Sequence, residues 1–226
     1  LAHLLAHQKR FVRDASHQLR TPLAVLKTQV QSARRGDTDP HQALAEIDTT
    51  VQRATELANQ MLALAKVEQL RQQGETTPQR WDQIVRGVAL DVSALIADGQ
   101  IDFEIETIPA TVQAHEWALR ELTRNLLHNA IRHTPAGGQL AVRLVADSRV
   151  AALTVSDSGP GLAPDMRDRL FQPFSAGGPR PGSGLGLAIC LEIVQSLGGQ
   201  IELNNRLIGV RTAGLDAIVR LPLEAP

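Results

Sequence analysis

The sequence predicts an α+β protein in which an antiparallel helical hairpin precedes a sheet domain covered by helices. Over residues 1–72, apolar residues recur at spacings of three and four, the period of one helix face, and the segment GDTDP at 36–40 marks a turn. After the polar segment QQGETTPQ at 72–79, short alternating apolar runs typical of strands are interspersed with helical patterns. That order favours an α/β sandwich with one sheet and helices on one of its faces.

Composition restricts the classes of partner that the chain can have. Its formal net charge of −1 provides no basic surface for phosphate backbones, so we expect no nucleic-acid partner. No apolar run reaches the roughly 18 residues of a membrane span, so we expect no membrane contact by this stretch of chain.

Because the sequence begins with Leu1 rather than Met, we interpret the chain as a fragment of a longer protein. Its one cysteine, Cys190, is expected to be a small buried hydrophobe.

The hairpin is predicted from two helical patterns and the turn between them. The first helix covers residues 1–35, with Gly36 suited to its C-terminus, and the second runs from Pro40 to about residue 72. The apolar stripes on both helices are wider than one partner helix covers, so two hairpins are expected to form a four-helix bundle in a homodimer, with docking of the hairpin on the rest of the chain as the alternative. We therefore assign 1–72 to a dimerisation hairpin, 73–80 to a linker and 81–226 to the sheet domain.

The sheet domain is predicted as alternating helices and strands. Helical patterns cover 82–98, 115–133 and 186–197. Strand patterns cover 101–106, 111–114, 140–145, 150–155, 201–205 and 215–221.

A polar string in the first predicted helix is a candidate catalytic site. His17 lies between the apolar positions Ala15 and Leu19, so its side chain is predicted to face solvent, with Asp14 and Thr21 about one turn away on the same face. A neutral imidazole held through its other nitrogen can act as a nucleophile. A single exposed histidine is more often an ordinary surface residue, so this interpretation depends on the whole string HQLRTPL and on the motifs downstream.

Two asparagines on one helix face form a candidate metal site. Asn125 and Asn129 are four residues apart, and asparagine is unfavourable inside a helix unless its amide is used. Amide oxygens are hard ligands suited to Mg²⁺. A polar helix face with ordinary hydrogen bonds would explain the pair equally well.

Two glycine-rich segments are candidate ligand loops. Asp157, Gly159 and Gly161 directly follow a predicted strand, where glycines allow close backbone approach and the carboxylate can accept from an exocyclic amine. The segment GSGLG at 182–186 opens a helix, whose backbone N–H groups and positive end suit phosphates. Its GxGxG spacing after a long loop disfavours a Rossmann fingerprint. Either segment alone could be only a turn.

Together and in this order, these strings resemble the motifs of sensor histidine kinases over nearly the whole chain. HQLRTPL resembles the phosphoacceptor box, residues 121–133 the N box, DSGPG the G1 box, LFQPF at 170–174 the F box and GSGLG the G2 box. The resemblance implies a dimerisation and histidine-phosphotransfer hairpin followed by a Bergerat-type ATP-binding domain.

The resemblance also implies roles in catalysis. His17 would take the γ-phosphoryl group of ATP, and Thr21 would orient water when the kinase dephosphorylates its regulator. Gln18 stands where many members have Glu, and because an amide cannot act as a base, the general base stays open, with Asp14 as a candidate.

For the nucleotide site, the resemblance implies that Asn129 binds Mg²⁺ with support from Asn125, and that Asp157 accepts a hydrogen bond from the adenine amino group. The other residues implied in ATP binding are Arg132, His133, Gly159, Gly161, Phe171, Phe174, Gly182, Gly184, Gly186 and Leu187.

The function implied is ATP-dependent autophosphorylation of His17 and transfer to an aspartate of a response-regulator receiver domain, with regulator phosphatase activity as a further implication. The protein would be the cytoplasmic portion of an inner-membrane sensor. Two alternatives stay open. A GHKL-type ATPase of the gyrase or chaperone kind would not use His17, and a nucleotide-binding pseudokinase would act as a scaffold, to which Gln18 is the one hint.

Overall fold

The structure, a computed structural model of the chain, describes residues 2–73, 76–163, 166, 169–174, 184–209 and 211–223, and it describes the backbone alone at 2–12, 14–15, 68–73 and 211. The chain forms two compact units, Leu1–Ala63 and Leu64–Pro226.

The first unit is built on a hairpin of two long helices. Helix α1 spans Ala2–Arg35, and α2 spans Pro40–Gln73, whose last residues belong to the second unit. Gly36 adopts a φ of 76°, the left-handed conformation that ends many helices. The Asp39 carboxylate accepts the backbone N–H of Gln42 at 3.1 Å and caps the start of α2. Both predicted helices and their turn are confirmed.

Large apolar side chains on both helices of the hairpin are exposed: Leu23, Val25, Val30, Leu44, Val51 and Leu62. The Thr50 hydroxyl of α2 donates to Gln29 Oε1 of α1 at 3.1 Å and joins the two helices. An apolar surface of this kind needs a further partner to cover it. Within the described part of the chain, no helix combines the length and hydrophobicity needed to cross a membrane.

The second unit contains a five-stranded sheet, a two-stranded sheet and the remaining described helices. The helices are α3 (Trp81–Asp91), α4 (Ser93–Asp98), α5 (Glu116–His133) and α6 (Gly186–Ser196). The strands are β1 (Thr77–Arg80), β2 (Asp102–Thr107), β3 (Thr111–Ala114), β4 (Gln139–Ala146), β5 (Val150–Asp157), β6 (Gln200–Ile208) and β7 (Arg211–Pro222). The large sheet has the order β2-β4-β5-β7-β6, in which β2 and β4 are parallel and all other neighbours are antiparallel.

One face of the large sheet is buried beneath helices. Along β5, Ala151, Leu153 and Val155 are buried and alternate with half-buried residues, as expected for a sheet covered on one side. Helix α5 packs on β5, and α6 packs on β6 and β7. The predicted sandwich is confirmed. Cys190 is fully buried in α6, as predicted, and burial raises the pKa of its thiol.

The segment predicted as a linker, 73–80, contains a strand. Residues Thr77–Arg80 form β1, which pairs antiparallel with β3 in the register Thr77↔Ala114. Most of the β1 side chains are exposed, so the strand shows no apolar alternation, and its partner lies more than thirty residues away in the chain. Neither feature could be recognised from a local pattern.

The segment predicted as one helix over 82–98 forms two helices. Helix α3 ends at Asp91, and helix α4 begins at Ser93. The buried residues Val88, Val92 and Ile96 keep a spacing of four through the break, so the apolar period gave no signal of it.

Candidate functional site

The loop that follows β5 is built around a buried carboxylate. Asp157 is 3% exposed, and its Oδ1 accepts the backbone N–H of Gly159 at 2.8 Å. Burial raises the pKa of this carboxyl, and the effect is opposed by the Gly159 N–H, by the charge of His133, by the backbone N–H of Leu215 and by the charge of Arg206. The groups facing the carboxylate are therefore donors or cations, and a further donor would stabilise its ionised form.

Glycine is required at two positions of this loop. A Cβ on Gly159 would lie 2.6 Å from the carbonyl oxygen of His133. Gly161 has a φ of 70°, and a Cβ there would contact Thr212 and lie 2.7 Å from Asn205 Oδ1. The loop therefore lies directly against the end of α5 and against the strands β6 and β7.

Two residues of β6 that the sequence did not single out hold this loop. Asn205 Oδ1 accepts the backbone N–H of Leu162 at 2.7 Å, and Asn205 Nδ2 donates to the Leu162 carbonyl at 2.8 Å. Arg206 Nη2 donates to the Asp157 carbonyl at 2.8 Å. The available signal was the pair of adjacent asparagines in IELNN, which interrupts an otherwise apolar alternation.

The asparagines of α5 lie beside the start of α6. Asn125 is buried, and its Nδ2 donates to both the carbonyl and Oε1 of Glu121 at 2.8 Å. Its Oδ1 is 3.1 Å from the place that a Cβ on Gly186 would occupy. Asn129 is half-buried within α5, and its side-chain amide makes no hydrogen bond to any residue that the structure describes. The structure thus brings the N-box and G2-box segments together and leaves the Asn129 amide available to a ligand.

The last turn of α5 also faces the β5 loop. Arg132 and His133 are half-buried there, and a protonated His133 would favour the ionised form of Asp157. Among the described side chains, no three His, Cys, Asp or Glu residues converge on a point. A cation bound here would therefore depend on an amide ligand such as Asn129 together with oxygen atoms of a bound substrate.

The F-box and G2-box residues meet at one backbone hydrogen bond. Phe171 and Phe174 are half-buried, and the Phe174 N–H donates to the Gly184 carbonyl at 3.1 Å. Phe174 has a φ of 63° and Gly184 a φ of 67°. Leu187 is half-buried in the first turn of α6, and Gly182 lies outside the described residues.

The phosphoacceptor string lies in the other unit, on α1. His17, Gln18 and Thr21 are exposed, and the helix continues without a break through Pro22. Because proline lacks an N–H, the Gln18 carbonyl has no helical donor four residues on. The side chain of Asp14 lies outside the described residues, so its predicted role has no geometry to support it.

Two family models match the chain, one on each side of the predicted linker. Residues 7–70 match the model described as the His Kinase A (phospho-acceptor) domain. Residues 114–225 match the model described as the histidine kinase-, DNA gyrase B- and HSP90-like ATPase.

Individual proteins are also similar to this chain. The sensor protein QseC of Salmonella typhi is 32% identical over 229 residues, which cover 96% of this chain and 48% of QseC. The solved mycobacterial sensor histidine kinase MprB is 30% identical with a TM-score of 0.60, covering 66% of this chain and 98% of that one. The histidine kinase ThkA, solved in complex with the response regulator protein TrrA, is 22% identical with a TM-score of 0.77, covering 99% of this chain and 64% of that one. The chain spans about half the length of the curated relatives that it matches.

Proposed function

The chain belongs to the sensor histidine kinases, and from that premise we propose that it phosphorylates its own His17 with ATP and passes the phosphoryl group to a response-regulator receiver domain. One observation carries the proposal: the chain holds both an exposed histidine on a helical hairpin and a loop built around a buried, donor-surrounded carboxylate. We keep 1–72 as the phosphotransfer domain, 73–80 as the connection and 81–226 as the ATP-binding domain.

The adenine base would bind at Asp157. The ionised carboxylate accepts a hydrogen bond from the exocyclic amine, and Gly159 and Gly161 let the base approach the backbone. The triphosphate would follow to Gly184 and Gly186, where α6 begins with its backbone N–H groups and positive end. Gly182 and Arg132 are proposed as further phosphate contacts.

The residues present fit a magnesium ion that is shared with the substrate. Asn129 offers a hard amide oxygen that no described residue engages, and Asn125, fixed by Glu121, holds the neighbouring turn in place. When bound, Mg²⁺ would neutralise charge on the phosphates.

The reaction proposed for His17 is an in-line displacement. A ring nitrogen with a lone pair forms the N–P bond while the bond from the γ-phosphorus to the bridging oxygen breaks, and ADP leaves with the electron pair. The imidazole must therefore be neutral when it attacks. Gln18 can orient the ring but cannot take its proton, so Asp14 is the proposed candidate for a base.

The partner proposed for the phosphorylated hairpin is a receiver domain, as in the complex of ThkA with TrrA. Transfer would form an aspartyl phosphate and return His17 to its free form. Thr21, exposed one turn from His17, is proposed to orient water in the reverse task of dephosphorylating the regulator. Because the similar curated proteins are named sensor proteins, we assign this chain to the cytoplasmic portion of an inner-membrane sensor.

The experiment that tests the function is incubation with Mg²⁺ and ATP labelled at the γ-phosphate. The expected result is label on the protein that is stable in alkali and lost in acid. Hydrolysis of ATP without any labelled protein would instead support the ATPase alternative. Nucleotide binding without hydrolysis or labelling would support the scaffold.

Dimerisation is proposed from the exposed apolar face of the hairpin, and it yields a prediction. Leu44 is 65% exposed on α2, and burying a leucine at an interface contributes about 1.5–3 kcal/mol. Because a symmetric dimer buries Leu44 twice, Leu44→Glu should raise the dimer dissociation constant at least about a hundredfold, measured by analytical ultracentrifugation. The matched control is Leu90→Glu, because Leu90 is 74% exposed on α3, outside the hairpin. Equal effects of both substitutions, or none of Leu44→Glu, would contradict the hairpin interface.

A further inference from the structure

Two consecutive residues of β6 hold both ends of the loop from Asp157 to Leu162. Arg206 donates to the Asp157 carbonyl at 2.8 Å, where the loop begins. Asn205 bonds both backbone groups of Leu162, where the loop ends. The loop is thus fixed from a strand that lies more than forty residues further along the chain.

The Asn205 contact suits this task because a side-chain amide matches a backbone peptide group. Its oxygen accepts the Leu162 N–H at 2.7 Å while its nitrogen donates to the Leu162 carbonyl at 2.8 Å, so one half-buried side chain satisfies both groups. A loop with two glycines loses much conformational entropy when it is ordered, and it has no regular structure of its own to offset that cost. The two hydrogen bonds between Asn205 and Leu162 hold the end of the loop in place.

Arg206 fixes the start of the loop, at Asp157, and its contact with the Asp157 carbonyl requires a glycine at position 214. Gly214 has a φ of 150°, and a Cβ there would overlap the Asp157 carbonyl and lie 2.8 Å from Arg206 Nη2. The Asp157 carbonyl therefore occupies the place of a side chain on Gly214, and the guanidinium lies directly beside it, with Asp216 Oδ1 at 3.5 Å from its Nη1. In this position it orients the peptide group of the residue that bears the buried carboxylate.

We propose that Asn205 is a positioning residue for recognition of the nucleotide base, and that Arg206 acts with it on the same loop. The inference rests on the proposed function, since it assigns the base to the Asp157 loop. A loop held at both ends presents its carboxylate in one place, and so distinguishes adenine, which offers an amine there, from guanine, which offers a carbonyl oxygen.

The test compares Asn205→Ala with wild type for binding of AMPPNP and of its guanine counterpart GMPPNP, with Mg²⁺, by calorimetry on the whole chain. Two lost hydrogen bonds should weaken AMPPNP binding about tenfold and leave GMPPNP binding within about twofold, so the preference for adenine falls. The matched control is Asn204→Ala, because Asn204 is the same residue type on the same strand but exposed, and it should change neither affinity. Arg206→Met, at the other end of the loop, should likewise weaken AMPPNP binding and leave GMPPNP binding nearly unchanged. This variant tests the inference if Asn205→Ala does not fold.

Three results have distinct meanings. Unchanged AMPPNP affinity in Asn205→Ala and Arg206→Met overturns the inference. Equal loss of both nucleotides, accompanied by a lower unfolding temperature, shows that Asn205 is only structural and also overturns it. Failure of the wild type to bind either nucleotide defeats the proposed function itself.

Discussion

His17→Ala is expected to remove all protein-bound phosphoryl label while leaving nucleotide affinity unchanged. Alanine has no lone pair to attack phosphorus, and no neighbouring side chain on the helix replaces it, because Gln18 is an amide and Thr21 is an alcohol, which is a weak nucleophile at its ordinary pKa. The ATP-binding residues belong to a separate unit of the fold, so their affinity should not change. Labelling with γ-phosphate-labelled ATP measures the first quantity, and calorimetry with AMPPNP measures the second.

The matched control for this substitution is His41→Ala. His41 is also an exposed histidine on the hairpin, but it lies in the first turn of α2 and outside HQLRTPL. It should leave labelling at the wild-type rate. Residual alkali-stable label in His17→Ala would mean that another histidine is the acceptor, and loss of AMPPNP binding would mean that the substitution disturbs more than the nucleophile.

The features predicted correctly from sequence are those that depend on residues near one another in the chain. The alternation in β5, the placement of Asn125 and Asn129 on one helix and the exposure of His17 on α1 each depend on fewer than fifteen residues. Local geometry converts such spacing directly into a shared face, so both helices of the hairpin and the one-sided sheet were predictable. The resemblance to a family then assigned an expected role to each of these segments.

The features that were missed depend on contacts between distant residues. Asn205 meets Leu162 across 43 positions and Arg206 meets Asp157 across 49, and no local period encodes such a pairing. The strand β1 was not predicted for the same reason. Its pairing with β3 makes Thr77–Arg80 extended, and its own sequence pattern does not indicate a strand. Polar residues inside a strand are the one local sign of such contacts, since they need a partner when half-buried.

Asp157→Asn is expected to weaken AMPPNP binding at least about a hundredfold, because it replaces a charge-assisted acceptor with an amide that carries two N–H donors. The groups around the carboxylate are donors, beginning with the Gly159 N–H at 2.8 Å. If the oxygen of the introduced amide keeps the hydrogen bond from the Gly159 N–H, the amide nitrogen faces the amine of the base, donor against donor. If the amide rotates, its nitrogen faces the Gly159 N–H instead. Neither orientation satisfies both donors, so the loss in affinity should be measurable by calorimetry at neutral pH.

The same substitution should not destabilise the fold, which separates a binding role from a structural one. Burial raises the pKa of Asp157 in the folded state, so its contribution to stability is fully present below the unfolded pKa and is lost as pH rises through the folded value. At neutral pH the wild type therefore keeps a disfavoured charge that Asp157→Asn removes. The unfolding temperature of the variant should be equal to or above that of the wild type at pH 7.5, and its advantage should shrink as pH is lowered through the Asp157 pKa.

Asp147→Asn is the control, because its expected effect on the unfolding temperature at neutral pH is opposite to that of Asp157→Asn. Asp147 is exposed in the turn after β4, and its carboxylate accepts the backbone N–H groups of Arg149 and Val150, which lower its pKa. Its contribution is present above the unfolded pKa and lost as pH falls through the folded one, so Asp147→Asn should slightly lower the unfolding temperature at neutral pH without changing AMPPNP affinity. Normal AMPPNP binding by Asp157→Asn would show that the carboxylate does not bind the base, and a lower unfolding temperature than wild type at pH 7.5 would show that the carboxylate stabilises the fold.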